Sequence, residues 1–196
     1  EMGDVSAAAA DVALLFDYEA AWQFETQPQG ADCTYYALVL DAYSAFRRAG
    51  VSLDICHPKD DVSEYKVVLA PGLVFVDDGD RQRLSQHPGT VVLGPRAATK
   101  TRTGAIPIPL PPAIPGLDVT VSRLESLMPG LSEPMEGGGS VIRWFEEIDG
   151  SADMVFATFD GRPVLLAADR VMYLAGWLDQ EGWDRFAAYV LDREGL

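Results

Sequence analysis

Apolar residues in the first half of this chain come in short runs separated by stretches of mixed polarity. Val12 to Phe16 is an unbroken apolar run, which predicts a buried strand. Val51 to Cys56, Lys66 to Ala70 and Thr90 to Leu93 predict three more. Between the first two, Cys33 to Arg48 sets Tyr36, Leu40, Tyr43 and Phe46 at helical spacing. Arg47 and Arg48 fall in its last turn and Gly50 follows, a stop that suits the carbonyl end of a helix. Asp77 to Gln86 predicts a second helix, whereas the Cys56–Lys66 connection has room for one or two turns at most. Short strands alternating with helices imply parallel crossovers, hence an α/β fold with a doubly wound, mostly parallel sheet.

That pattern stops at Pro95. Five prolines lie between Pro107 and Pro115, so 95–117 reads as an extended Pro-rich loop. Beyond it the signals turn β-rich. Val155 to Phe159 and Val164 to Ala167 flank Asp160-Gly161, a dipeptide that favours the positive φ of a tight turn, so a hairpin is expected. Val171 to Leu174 continues this late meander. Gln180 to Leu191 closes the chain as an amphipathic helix with Trp183, Phe186, Ala187 and Val190 on one face. Trp144, inside the apolar run Val141 to Phe145, and Trp177 read as core packing, and Gly137 to Gly139 as a flexible loop. The expected organisation is a linker over 1–11, an α/β core over 12–94, the Pro-rich loop, and the meander with its helix over 118–196.

At 196 residues the chain suits one domain, large enough to bury a core without disulfides or metals. Its formal net charge is −15, which argues against phosphate-backbone binding and against attraction to anionic membranes. No apolar run approaches the roughly 20 residues of a membrane span, and no signal peptide is visible. With two cysteines only, Cys33 and Cys56, a reduced cytoplasmic protein is the expectation. The opening Glu1-Met2-Gly3 and the alanines Ala7 to Ala10 read as a linker, or a cut within a longer polypeptide.

Candidate chemistry concentrates after the first strand, where Asp17, Tyr18, Glu19, Trp22 and Phe24 stand beside a Gln/Thr/Gln cluster. Carboxyl ends of strands in an open α/β sheet form the crevice where ligands or partners are met. The two carboxylates would repel a phosphate, so nucleotide and flavin binding are not expected, and no cofactor is. Asp17, Glu19 and Glu25 are the acids beside aromatics suited to a sugar, but close carboxylate pairs are commonplace among 30 acidic residues. His57 and His87 show no metal-ligand spacing, each sits beside a proline, and both read as solvated loop residues. The turn after Thr90–Leu93, where a sharp elbow would present a nucleophile, is Gly94-Pro95-Arg96 and carries no Cys, Ser or Thr. Cys33 and Cys56 therefore read as structural thiols. What remains is recognition, because large aromatics and Arg anchor interfaces. Arg96, Lys100 and Arg102 follow another strand that opens on the same edge. The expectation is that Asp17 or Glu19 pairs with Arg96 or Lys100 and shapes a docking edge.

Three segments carry a family resemblance. Phe16 to Gly30, Leu93-Gly94-Pro95-Arg96-Ala97-Ala98-Thr99-Lys100-Thr101, and Asp160-Gly161-Arg162-Pro163 followed by Tyr173-Leu174-Ala175-Gly176-Trp177 occur in order along nearly the whole chain. Together they resemble the trimerisation domain of family 42 β-galactosidases. The resemblance implies a flavodoxin-like or class I glutamine-amidotransferase-like sheet without amidotransferase chemistry. It also implies a homotrimeric parent that hydrolyses terminal β-D-galactosides with retention, through two glutamates of a preceding barrel domain. A small C-terminal β-domain would follow. The present domain would be non-catalytic and would supply contacts to the barrel and between subunits. Two alternatives from other classes are a stand-alone amidotransferase-like hydrolase and a sugar-binding module with Tyr18 and Trp22 as stacking platform.

Overall fold

A computed structural model describes residues 9–196; the expected linker falls mostly outside these. The chain runs β1 (Val12–Leu15), α1 (Tyr18–Thr26), α2 (Tyr35–Arg48), β2 (Leu53–Cys56), β3 (Val67–Ala70), α3 (Asp78–Ser85) and β4 (Thr90–Leu93). β1 pairs in parallel with β2 on one side and β3 on the other, and β3 pairs in parallel with β4. Every residue of β1, β3 and β4 is buried, as apolar strands covered on both faces must be. β2 lies at the edge, and Ile55 and Asp54 face solvent.

The later strands are β5 (Val119–Ser126), β6 (Ser132–Pro134), β7 (Ser140–Gly150), β8 (Asp153–Ala157), β9 (Pro163–Ala168), β10 (Val171–Leu174) and β11 (Gly176–Leu178), followed by α4 (Gln180–Glu194). The late meander is not a separate unit. β10 pairs in parallel with β4, with Val171 opposite Val91, and antiparallel with β9. One seven-stranded sheet results, ordered β2-β1-β3-β4-β10-β9-β8. The reason is burial: all four residues of β10 are buried, so its backbone groups need a ladder on each side. The expected hairpin forms as β8–β9, with Gly161 at φ 82° in its turn. A second, antiparallel sheet orders β11-β7-β5, and β6 also pairs with β7. The run around Trp144 is the start of β7, eleven residues long, and its Trp and Trp177 of β11 are both buried.

Two helices differ from expectation. α2 buries Tyr35, Leu38, Val39, Ala42, Ala45 and Phe46, while Tyr36 and Leu40 are exposed. The buried stripe is thus rotated from the Tyr36–Leu40 line, because alanines at 42 and 45 let the helix lie close to its neighbours. α4 packs there, with Phe46 and Phe186 edge to face at 6.1 Å. α1 was not among the expected helices. Its start is fixed by Asp17, whose Oδ1 accepts the Glu19 N–H at 3.0 Å, and Ala20, Ala21 and Phe24 face the core. The glycines 137–139 are packed in the β6–β7 turn: a Cβ at Gly139 would come within 2.5 Å of Gly182 at the start of α4.

Candidate functional site at the carboxyl ends of the strands

β1, β3 and β4 end on the same side of the sheet, and the segments that leave them build one edge. After β1 comes α1. Asp17 is buried; besides capping the helix, its backbone N–H donates to the Tyr35 hydroxyl at 2.9 Å. Tyr18 and Trp22 are each 61% exposed, and the Tyr18 ring meets Phe16 edge-on at 5.0 Å. Phe24 points the other way, into the core against Tyr35. Glu19 forms an ion pair with Arg102 across the edge. Glu19, Trp22, Gln23, Thr26, Phe75 and Arg102 surround an open recess of about 370 Å³. Beside it, Lys100 helps line a second recess of about 220 Å³ with Gln29, Ile106, Leu110, Arg123 and Trp144. From the Pro-rich loop, Ile106 and Ile108 project into solvent, Ile108 at 94% exposure.

The expected pairing of Asp17 or Glu19 with Arg96 or Lys100 is not formed. Glu19 takes Arg102, and Lys100 makes no ion pair among the described residues. Arg96 is buried: its guanidinium carbon sits 3.8 Å from the centroid of Phe24 and 4.7 Å from that of Trp144. Its terminal nitrogens donate to the Gln27 and Pro28 carbonyls just past α1, at 3.2 and 3.4 Å. A guanidinium is weakly hydrated and stacks on aromatic faces, so it tolerates this burial where an ammonium would not. Burial lowers its pKa to about 10, opposed mainly by the negative charge of Glu146, so it stays protonated at neutral pH.

Glu146, on β7, is the residue that no sequence motif singled out. It is fully buried and accepts three hydrogen bonds, from the Arg96 backbone N–H at 3.0 Å, Trp144 Nε1 at 3.1 Å and the Tyr173 hydroxyl at 2.7 Å. Burial pushes its pKa up to about 6, and these bonds together with the Arg96 charge hold it from rising further. Tyr173, also buried, is pushed well above the ordinary phenol range by burial and by the Glu146 charge. One signal for Glu146 was present: Trp144 and Glu146 are two apart on a strand and so share a face.

Compared with known proteins, residues 10–196 match the family model of the β-galactosidase trimerisation domain. The chain belongs to this family. A β-galactosidase of Thermus thermophilus is 37% identical over 196 residues, covering 96% of this chain and 30% of the relative. The crystal structure of a β-galactosidase from the psychrophilic Marinomonas ef1 superposes with a TM-score of 0.91 at 29% identity, covering 96% of this chain and 29% of that one. A polyextremophilic β-galactosidase from Halorubrum lacusprofundi gives 0.91 at 31% identity, covering 97% and 31%. The trimerisation domain thus spans about 30% of the length of these relatives.

Other expected features of the trimerisation domain can now be placed. The turn after β4 carries Arg96 at φ 62° where a nucleophile would stand, and that arginine is spent on packing. Cys33 is buried with its thiol pKa raised by burial, and its Sγ lies 4.0 Å from the Arg143 carbonyl. Cys56 contacts the Tyr65 hydroxyl, and its pKa is likewise raised by burial. Neither is activated as a nucleophile. His57 is exposed as expected, but His87 is buried: Nε2 donates to the Val62 carbonyl at 2.9 Å and Nδ1 accepts from Gly89 N–H at 3.0 Å. His87 therefore holds the loop before β3 against the turn before β4. Among the described residues, no group of three His, Cys, Asp or Glu could hold a metal, and no helix is long and apolar enough to cross a membrane.

Proposed function

We propose that this domain is the non-catalytic assembly module of a longer homotrimeric, cytoplasmic β-galactosidase that hydrolyses terminal β-D-galactosides. The chemistry would belong to a barrel domain of the same polypeptide. This module would dock against that barrel and against a neighbouring subunit, with residues 1–11 linking it to what precedes. The observation that carries the reading is the exposed aromatic and aliphatic set on one edge: Tyr18 and Trp22 from α1, Ile106 and Ile108 from the Pro-rich loop. α1 holds its aromatics rigidly, because Asp17 caps it and Phe24 anchors it under Arg96. A large ring on a fixed backbone loses little entropy when a partner covers it, which is what an interface anchor requires. Glu19, Arg102 and Lys100 would form the polar rim. Arg96 and Asp17 would act from behind, by fixing the shape of the edge. Two unpaired cysteines fit a reducing compartment.

The test is Trp22→Ala in the full-length enzyme, followed by sedimentation velocity across a dilution series. The trimer should dissociate at least tenfold more readily, with the activity of intact trimers retained. An unchanged dissociation constant would remove this edge from the assembly surface.

A second reading rests on the recess beside Trp22, where an exposed ring, an ion-paired carboxylate and guanidinium and two amide or hydroxyl groups converge as in a saccharide site. Galactose or lactose titrated to about millimolar levels should quench or shift Trp fluorescence if it is occupied. A flat signal, with Trp22→Ala as control, would end that reading.

A further inference from the structure

We propose that one amide of the turn after β4, together with the Trp144 and Tyr173 side chains, forms a preorganised carboxylate-binding nest, and that Glu146 is its ligand, supplied in cis from β7. The turn has the backbone of a strand-end elbow. Gly94 has φ 92°, Arg96 φ 62° and Ala98 φ 57°, the last two being conformations that side-chain-bearing residues adopt only when the surroundings impose them. The surroundings here are specific: Pro95 O accepts from Gly72 N–H at 3.1 Å, and Ala98 N–H donates to Leu73 O at 2.8 Å. The Arg96 N–H donates to Glu146 Oε1 at 3.0 Å.

The remaining donors complete the site. Trp144 Nε1 shares Oε1, and the Tyr173 hydroxyl takes Oε2. The Arg96 guanidinium makes no hydrogen bond to the carboxylate, since its donors go to Gln27 and Pro28. It contributes field and not contact. All three contacts to the anion therefore come from neutral donors held by three separate segments, the turn, β7 and β10. Glu146 ties the antiparallel sheet to the carboxyl end of the parallel one. This inference stands apart from the assembly reading and survives its failure.

If the nest is built for a carboxylate, a free one should enter when the side chain is removed. In the full-length enzyme, Glu146→Gly should lower the unfolding midpoint of this domain by about 10 °C. Sodium formate should then restore part of the loss, rising with the logarithm of its concentration, while sodium chloride at equal ionic strength should not. Glu146→Gln, which leaves the nest filled, should show no formate effect. Equal responses of Glu146→Gly to formate and chloride would overturn the proposal. Where Glu146→Gly fails to fold on its own, refolding from denaturant should give more folded protein in formate than in chloride. Equal failure in both would overturn the proposal as well.

Discussion

Arg96 illustrates how a residue can be found from sequence and misread. Its place after a strand made it a candidate for the edge, and its charge made it a candidate for pairing with Asp17 or Glu19. The structure spends the charge inside, between Phe24 and Trp144, near Glu146. Nothing in a linear pattern tells a stacked arginine from a solvated one, because both rings that receive it come from distant segments. Arg96→Ala should cost about 2–4 kcal/mol, since it removes the guanidinium packed between Phe24 and Trp144 and its bonds to the Gln27 and Pro28 carbonyls. Urea unfolding, followed at the Trp144 environment, measures it. Glu146 sets a pH dependence whose sign follows from its shift. Its folded pKa, about 6, lies above the ordinary 4.5, so between these values the folded state binds more protons than the unfolded. Stability from this group is therefore greatest below about pH 4.5 and falls as pH rises toward and past 6, by roughly 2 kcal/mol in all. Subtracting the Glu146→Gln profile from that of the unmodified protein isolates the effect, and identical profiles would refute it.

At the scale of elements, what was legible was local. Apolar runs bounded by turns gave β1, β3 and β4 almost to the residue, and α4 was read with its correct face. α1 escaped because its nine residues carry only three buried positions. Even so, Asp17 followed by Ala20, Ala21 and Phe24 is a cap with i+3, i+4 and i+7 spacing. The union of β10 with β4 could not be read at all, since 77 positions separate Leu93 from Val171 and parallel pairing leaves no mark in either strand. That union depends on one glycine. Gly94 has φ 92°, and a Cβ there would lie 2.2 Å from the Leu174 carbonyl oxygen at the end of β10. The clash is with backbone, which cannot swing aside. Gly94→Ala should destabilise the domain by more than about 3 kcal/mol and expose the β4–β10 amides first. Hydrogen exchange resolved by segment would show this, and unaltered protection at 91–93 and 171–174 would contradict it.

For the whole molecule, the question is which forces would hold copies together. Each copy carries −15, so charge opposes assembly, and the Glu19–Arg102 pair is internal to one chain. An interface built on Tyr18, Trp22, Ile106 and Ile108 would owe its stability to apolar burial, which salt screening does not weaken. An interface built on complementary charges would loosen as salt rises. These alternatives separate in one experiment on the proposed full-length enzyme. The dissociation constant of the proposed trimer is measured from about 0.02 to 0.3 M NaCl for the unmodified protein, Trp22→Ala and Met154→Ala. Whatever the rest of the polypeptide adds to the salt dependence cancels between variants. Trp22→Ala removes an apolar anchor without changing charge, so its curve should lie about thirtyfold higher and run parallel to the unmodified one. Met154 is also exposed, but on β8 at the far edge of the seven-stranded sheet, and its truncation should leave the curve unmoved. Displacement by Met154→Ala and not by Trp22→Ala would move the docking surface to the opposite edge. A change of slope with Trp22→Ala would mean that the ring positions charged contacts instead of supplying apolar ones.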